Sequence, residues 1–193
     1  MIVGITGGIG AGKTFLAQTL KQMGYAVYNS DVEAKRIICQ DAEVKEQIIH
    51  LLGDNAYHGE QYNTSWVATQ VFEDTNKLKQ LNAIVHPAVR NDIKRWVQTQ
   101  PTLNHLYFVE CAILYESQID TLCDVCVAIV APMQLRIKRA TQRDQSSPQH
   151  VQARMQTQCT DEQLCQRADI CLNNDGKQPI QVLANLLLEK LLK

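Results

Sequence analysis

Residues 7–14 read Gly7-Gly8-Ile9-Gly10-Ala11-Gly12-Lys13-Thr14, a complete match to the phosphate-binding pattern GxxxxGK[ST]. The octapeptide follows an apolar run at residues 2–5 and precedes a stretch of helical composition, so a strand, a loop and a helix are predicted in that order. Glycines let successive backbone N–H groups turn towards phosphate oxygens, and the following helix directs its positive end at them. The pattern therefore predicts a site for a nucleoside triphosphate.

Each side chain of the pattern has a predicted role. The Lys13 ammonium is expected to reach the β- and γ-phosphates, and the Thr14 hydroxyl is expected to bind Mg²⁺ as the metal ligand. The residues predicted to hold the nucleotide here are Gly8, Gly10, Ala11, Gly12, Lys13, Thr14 and Phe15.

Composition limits the class of protein. The chain has 193 residues, of which 45% are hydrophobic, which is sufficient for one domain or for one core with inserted lobes. The formal net charge of −1 gives no basic excess, so neither nucleic acid nor a membrane surface is predicted as a partner. No signal-like or membrane-spanning stretch is present in the sequence, and we expect a cytoplasmic protein.

The 7 cysteines are odd in number and scattered, which argues against a secreted disulfide framework. The pair Cys123 and Cys126 forms a lone CxxC without nearby histidines, and Cys126 falls in an apolar run. Free, mostly buried thiols are predicted.

Short apolar runs alternate with helical stretches, which is typical of an α/β protein with a parallel sheet. Five strands with right-handed crossovers predict a doubly wound sheet of the P-loop NTPase type. The predicted strands are Ile2–Thr6, Tyr25–Asn29, Leu106–Cys111, Val125–Val130 and Ile170–Asn173.

The stretch between the second and third strands is mostly helical, with no clear strand and with a polar loop from Gly53 to Asn63. It is interpreted as a helical lobe inserted into the sheet. A single domain over residues 1–193 is predicted, ending in an amphipathic helix from Pro179 to Lys193. Its parts are a core (1–31, 105–138 and 165–193), the inserted helical lobe (32–104) and a helical lid (139–164).

Asp31 follows the second predicted strand and has two interpretations. Neighbouring parallel strands end at one crevice, so its carboxylate could orient an acceptor hydroxyl and take its proton. Alternatively, Ser30-Asp31-Val32-Glu33 matches a capping box, and Asp31 would only add negative charge to a helix first turn.

Arg136, Arg139 and Arg143 recur on one helical face, either as a solvated basic face or as a lid that stabilises a transferring phosphoryl group. Arg139 and Arg143 lie nearer to Ser146-Ser147-Pro148, where the helical pattern is interrupted, and are the favoured lid residues. Glu110 ends the third strand, where it could face a metal ion or bond to nearby backbone. His86 precedes a proline in the helical lobe, and its local pattern does not settle its role.

Together these features resemble the dephospho-coenzyme A kinase family. Nearly the whole chain carries matching stretches in the family's order. They are residues 6–14, the Asp31 element, Leu81-Asn82-Ala83-Ile84-Val85-His86-Pro87, Leu114-Tyr115-Glu116, Arg139-Ala140-Thr141-Gln142-Arg143-Asp144, Arg154 with Gln158, and Ala168-Asp169 with Asn174.

The resemblance implies ATP-dependent phosphorylation of the ribose 3′-hydroxyl of dephospho-coenzyme A, the last step of coenzyme A synthesis. It implies that Asp31 is the base or hydroxyl-orienting group and that Arg139 and Arg143 are catalytic lid residues acting with Lys13. It further places His86 in the lobe that receives the acceptor, and Asn174 near the adenine. ATP and Mg²⁺ are the implied cofactors, and a monomer or small homo-oligomer is expected.

Three positions depart from the family pattern. Phe15 replaces a second Ser/Thr, Asn29 replaces an aspartate, and Ala112 replaces a proline. None removes a group that the chemistry needs, so a divergent but active branch is expected.

Other functions remain as alternatives. A nucleoside or nucleotide kinase would share the core and lid, and a non-catalytic ATP-binding protein would share the loop. A GTPase would need N-K-x-D and D-x-x-G motifs, which the chain lacks. A dinucleotide-binding G-x-G-x-x-G fails because Lys13 stands at the third glycine position.

Overall fold

A five-stranded parallel sheet forms the centre of the computed structural model, which describes residues 1–101, 105–156 and 158–192. Its strand order is β2-β5-β1-β6-β7, while β3 and β4 pair as a separate antiparallel hairpin. The strands in chain order are β1 (Ile2–Thr6), β2 (Ala26–Asn29), β3 (Tyr57–His58), β4 (Gln61–Tyr62), β5 (Tyr107–Glu110), β6 (Val125–Val130) and β7 (Ile170–Asn173).

The predicted α/β sheet is confirmed, and β1 lies at its centre. It pairs in parallel with β5 on one side and β6 on the other, so that Ile5 lies level with both Glu110 and Val127. The loop that follows β1 therefore leaves the middle of the sheet at its carboxyl edge, where parallel α/β sheets place their ligands.

Nine α-helices lie in the described part of the chain. They are α1 (Lys13–Gln22), α2 (Ser30–Gln40), α3 (Ala42–Leu52), α4 (Thr64–Glu73), α5 (Thr75–Thr99), α6 (Met133–Asp144), α7 (Pro148–Gln156), α8 (Asp161–Arg167) and α9 (Ile180–Leu191). None of them is both long and apolar enough to cross a lipid bilayer.

The chain divides into two compact units, Met1–Tyr28 with Pro101–Lys193, and Asn29–Gln100. The first unit contains the sheet, over which α1 and α9 pack against each other. Its core joins Leu16 and Leu187 of these helices to Ile5, Phe108 and Ile129 of the strands, and all five side chains are fully buried. Burial of these apolar side chains away from water stabilises the sheet and helices that carry the loop between β1 and α1.

The second unit is helical, as predicted for this stretch, and its longest element is the 25-residue α5, which contains Pro87. The prediction of no strand in this stretch is wrong, because β3 and β4 form a short hairpin. Gly59 turns the chain with φ of 63°, and the rings of Tyr57 and Tyr62 pack edge to face across the pair. Strands of two residues are too short to show alternation in sequence.

The prediction of free thiols fails at Cys165 and Cys171, which form a disulfide with Cα atoms 5.3 Å apart. Cys165 lies in α8 and Cys171 lies in β7, so the bond joins the helix to the strand that follows it. No other disulfide is found in the described residues. Residues 102–104 of the predicted helical lobe, residue 157 of the predicted lid and Lys193 of the final predicted helix lie outside the described residues.

Candidate active site

The loop between β1 and α1 has a backbone that only glycine accommodates at two positions. Gly10 and Gly12 take φ of 77° and 109°, in the left-handed region. A Cβ at Gly10 would lie 2.3 Å from the backbone carbonyl oxygen of Arg136, and a Cβ at Gly12 would lie 2.2 Å from the side-chain Nδ2 of Asn174. The loop is therefore shaped both by its own torsions and by side chains and backbone from later in the chain.

Lys13 begins α1 and folds back over the loop. Its Nζ donates hydrogen bonds to the carbonyl oxygens of Gly7 at 2.6 Å and Gly8 at 3.2 Å. Both acceptors precede the lysine in the same loop, so the ammonium lies against the segment that the sequence assigns to phosphate binding. Gly8 and Ala11 are themselves buried behind this surface.

Thr14 meets an acidic side chain from the neighbouring strand. Its Oγ1 donates a 2.7 Å hydrogen bond to Oε1 of Glu110, which ends β5 and is 7% exposed. A hydroxyl and a carboxylate oxygen are ligands that Mg²⁺ prefers. The described residues contain no cluster of three or more His, Cys, Asp or Glu side chains that could hold a metal by itself. Thr14 and Glu110 therefore fit a Mg²⁺ ion that takes its remaining ligands from phosphate and water.

A cavity of about 650 Å³ opens beside the loop within the first unit. Its wall is formed by α1, by α6 and by the segment that follows β7. The predicted site residues that line it are Gly10, Gly12, Lys13, Thr14, Phe15, Arg139, Arg143 and Asn174. Gln18, Gln142 and Gln178 also line the cavity and are exposed. Gln142 lies in the Arg139–Asp144 stretch that carries the family resemblance, whereas no motif marks Gln18 or Gln178.

Asn174 connects the loop to α6. Its side-chain Nδ2 donates a 2.8 Å buried hydrogen bond to the carbonyl oxygen of Ala11, and its Oδ1 accepts a bond from the guanidinium of Arg139 at 3.4 Å. Arg139 also donates to the Asn174 carbonyl oxygen at 3.3 Å. The side chain that the resemblance places near adenine thus contacts the phosphate loop and a lid arginine.

Arg143 lies one turn further along α6 and pairs with its neighbour Asp144. Its Nε and NH2 donate to the two carboxylate oxygens at 2.7 and 3.1 Å, and Arg154 of α7 donates to the same carboxylate at 2.8 Å. The hydrogen bond from Arg143 is the main cause that lowers the pKa of Asp144 to about 2. The same hydrogen bond raises the pKa of Arg143. The guanidinium is therefore held as a cation at the cavity wall.

Asp31 lies in the first turn of α2, two residues after β2, and its side chain is exposed. The predicted cap at Ser30 is wrong, because the N-cap of α2 is Asn29, whose side chain accepts from the Val32 N–H at 3.0 Å, but Asp31 does add negative charge to the first turn of the helix, as that interpretation expects. Asn29 ends β2 and caps α2 at once, so the chain passes from strand to helix without a loop. The hydroxyl of Ser30 is buried and makes no hydrogen bond to the described residues.

His86 belongs to the helical unit, where it lies in the interior of α5 next to Pro87. The side chain is half-buried. Burial is the larger cause, and the charge of Arg90 the smaller one, that lower the pKa of His86. The imidazole is therefore neutral at physiological pH and can both donate and accept a hydrogen bond.

Sequence reasoning ranked Arg136 below the other arginines of its row, but the structure places it against the loop. Its Nε donates to the carbonyl oxygen of Ile9 at 3.0 Å, and its guanidinium forms a 2.7 Å ion pair with Asp161. Gln158 entered only through the family resemblance, and its Oε1 accepts from the Ile9 N–H at 2.9 Å. The i, i+3 spacing of Arg136 and Arg139 was the available signal, whereas nothing local marks Gln158 or Asp161.

Comparison with known proteins was made by sequence and by fold. The sequence model of the family described as dephospho-CoA kinase matches residues 1–179. A dephospho-CoA kinase of Salinibacter ruber is 39% identical over 176 residues, covering 90% of this chain and 88% of that protein. One from Bacteroides fragilis is 35% identical over 178 residues, covering 92% and 86%.

Solved structures share the fold. A crystal structure from Thermus thermophilus superposes with a TM-score of 0.85 at 29% identity, covering 99% of this chain and 97% of the other. A dephospho-CoA kinase from Campylobacter jejuni gives a TM-score of 0.73 at 23% identity, covering 98% and 96%, which is a likeness of fold alone. Since the family model spans most of the sequence and relatives at 35% and 39% identity cover about nine tenths of it, this chain belongs to the dephospho-CoA kinase family.

Proposed function

We propose that this chain transfers the γ-phosphoryl group of ATP to the ribose 3′-hydroxyl of dephospho-coenzyme A, giving coenzyme A and ADP. One observation carries the proposal. The phosphate loop and both lid arginines line a single cavity of about 650 Å³ in a chain that belongs to the family. The reaction is a phosphoryl transfer to an alcohol, and it completes coenzyme A biosynthesis.

The donor side is built on the loop. Backbone N–H groups of residues 8–15 hold the phosphates, and Lys13, whose ammonium already lies against the loop, supplies positive charge to the β- and γ-phosphates. Thr14 and Glu110 would hold Mg²⁺, which neutralises charge on the phosphates when bound. Loop, lysine and metal ligands all belong to the first unit.

The transferring phosphoryl group carries charge on its outer oxygens, which the lid arginines stabilise. Arg139 and Arg143 both line the cavity, and each is oriented by hydrogen bonds to a neighbour. Pre-oriented cations stabilise the developing charge without having to reorient. Closure of residues 139–164, which include both arginines, over the phosphates would exclude water. These two arginines are proposed as catalytic residues.

The acceptor side is assigned to Asp31 and His86. The Asp31 carboxylate accepts the proton of the 3′-hydroxyl as the new O–P bond forms and the bond to the ADP oxygen breaks. His86 hydrogen-bonds to the acceptor from the helical segment at 32–104. The cap at Asn29 supports the role of Asp31, because it stabilises the first turn of α2, in which Asp31 lies.

The test incubates purified protein with Mg·ATP and dephospho-coenzyme A and identifies the product by mass. Coenzyme A and ADP in equal amounts are expected. Parallel reactions with adenosine and AMP distinguish the alternatives. Phosphorylation of one of these in place of dephospho-coenzyme A identifies a different small-molecule kinase, whereas ATP binding without transfer to any acceptor identifies a non-catalytic protein.

A matched variant tests the proposed base. Asp31→Asn keeps the shape of the side chain but removes the proton acceptor, and turnover should fall about 10²-fold or more while ATP affinity stays nearly unchanged. Asp41→Asn is the control, because Asp41 caps α3 in the same unit. Normal turnover by Asp31→Asn would exclude Asp31 from proton transfer.

A further inference from the structure

The backbone N–H and the backbone C=O of Ile9 are each hydrogen-bonded to a side chain from far along the chain. Its N–H donates to Oε1 of Gln158 at 2.9 Å, and its carbonyl oxygen accepts from Nε of Arg136 at 3.0 Å. Ile9 lies in the phosphate loop between Gly8 and Gly10. The N–H belongs to the peptide that joins Gly8 to Ile9, and the C=O belongs to the peptide that joins Ile9 to Gly10, so neither of these two peptide planes can turn away without breaking a hydrogen bond.

Arg136 itself is fixed in place. It is 7% exposed, and its guanidinium NH1 pairs with Asp161 at 2.7 Å at the start of α8. A buried arginine that lost this carboxylate would leave an uncompensated charge, so the pair constrains α6 and α8 together. The guanidinium also fills the space beside Gly8, where a Cβ would lie 1.9 Å from NH2.

These contacts flank the segment proposed as the lid. Arg136 precedes residues 139–164, whereas Gln158 and Asp161 lie near the end of that range. We name Ile9, Arg136, Gln158 and Asp161 the loop anchor. Side chains from before the lid segment and from near its end thus meet at one residue of the phosphate loop, Ile9, and Gly10, which lines the nucleotide cavity, follows it directly.

We propose that Arg136 and Gln158 are positioning residues for phosphoryl transfer, which hold the phosphate loop at Ile9 in register with the lid. They act through the backbone of the loop and touch no reacting atom. The loop must present its N–H groups to the phosphates without further ordering. Loss of either contact therefore lowers kcat/KM for ATP more than it changes KM for the acceptor. The inference rests on the proposed donor site but not on the identity of the acceptor.

The first test compares Gln158→Ala with Gln152→Ala, a control on the exposed surface of α7. One neutral hydrogen bond is lost, and kcat/KM for ATP should fall about 5- to 10-fold in Gln158→Ala, while KM for dephospho-coenzyme A changes less than about twofold. Gln158→Glu retains the acceptor oxygen and should keep a longer-lived bond to the Ile9 N–H, seen as slower amide hydrogen exchange at Ile9 than in Gln158→Ala. Equal behaviour of Gln158→Ala and Gln152→Ala would overturn the proposal.

A double-mutant cycle tests whether Arg136 and Gln158 act together through Ile9 of the phosphate loop. Arg136→Lys keeps a positive charge for Asp161 but replaces the planar donor that reaches Ile9. Combined with Gln158→Ala, it should give a loss in kcat/KM for ATP that is smaller than the product of the two single losses. Fully multiplicative losses, or a change confined to KM for the acceptor, would contradict a shared action.

Direct titration with a fluorescent ATP analogue separates this proposal from the proposed function. If the protein transfers phosphate to some other acceptor, or to none, the anchor variants should still weaken binding of the analogue in the same order. If binding is unchanged in Gln158→Ala and in Arg136→Lys, the positioning role fails even when coenzyme A is formed normally.

Discussion

Thr14 and Glu110 are joined by a 2.7 Å hydrogen bond that connects the first turn of α1 to the end of β5. Threonine comes from the phosphate loop and glutamate from the strand that pairs with β1, so the sheet itself sets their separation. The bond brings together the two oxygen ligands proposed for Mg²⁺ and orients the threonine hydroxyl.

Glu110→Gln should raise the concentration of Mg²⁺ needed for half-maximal activity by about 10-fold or more, because the substitution keeps the shape but removes the negative charge. Activity measured against free Mg²⁺ at saturating ATP checks this. Glu189→Gln, at an exposed position on α9, serves as the control. Coincident Mg²⁺ titrations of wild type and Glu110→Gln would remove Glu110 from the metal site.

Asn174→Ala should lower the free energy of unfolding by about 1–3 kcal/mol, since the buried Ala11 carbonyl loses its hydrogen-bond donor. The same change removes the side-chain oxygen that accepts from Arg139 and leaves its bond to the backbone carbonyl of residue 174, so the guanidinium is less firmly held and KM for ATP should rise. Asn173→Ala is a matched control, because Asn173 is the preceding residue and is exposed. Urea denaturation and steady-state kinetics measure the two effects. An unfolding free energy equal to that of Asn173→Ala would show that the Ala11 contact contributes nothing.

Arg143→Ala should reduce kcat about 10²-fold while the free energy of unfolding changes by less than about 1 kcal/mol, because its ion pair with Asp144 is exposed. Arg154→Ala is the matched control, since Arg154 bonds to the same carboxylate but is not among the described residues that line the cavity. Equal losses of kcat in the two variants would mean that Asp144 pairing, and not phosphate contact, accounts for the effect.

The pH dependence of stability should contain a contribution from His86. Burial and Arg90 lower its pKa below the ordinary value of 6.5, so the folded chain binds fewer protons at this site than the unfolded chain. The contribution is therefore fully present above 6.5 and is lost as the pH falls through that value towards the lower native pKa. Wild type should lose more unfolding free energy than His86→Gln between about pH 7 and pH 5.

Urea denaturation of both proteins across this range makes the measurement, and parallel curves for the two would exclude a buried neutral His86. The same variant tests the proposed substrate contact. KM for dephospho-coenzyme A should rise in His86→Gln, while KM for ATP stays unchanged because the nucleotide cavity belongs to the other unit.

The sheet was predictable because its strands are continuous apolar runs. Ile2–Thr6, Val125–Val130 and Ile170–Asn173 begin and end where the sequence predicts. The loop was predictable because its pattern lies within eight consecutive residues. Each of these signals lies within a short stretch of consecutive residues, so a single sequence is enough to detect it.

What escaped prediction depends on single residues. The sequence suggests Asn29 only as the loss of an acidic group, whereas Asn29 caps α2, because the helix begins at Ser30, one residue earlier than a Ser30 cap requires. Gln158 carries no signal in its own neighbourhood, and its partner Ile9 lies 149 positions away. A side chain that meets a backbone group at such a distance leaves no pattern in one sequence.

The contacts at Ile9 and Ala11 have a consequence for synthesis of the chain. Arg136 follows Ile9 by 127 residues, Gln158 follows it by 149, and Asn174 follows Ala11 by 163. At about 5–20 residues per second on the ribosome, the loop emerges roughly 10 to 30 s before its last support is made. A nascent chain therefore exposes the phosphate-binding motif well before the three side chains that hold the loop in place have been synthesised.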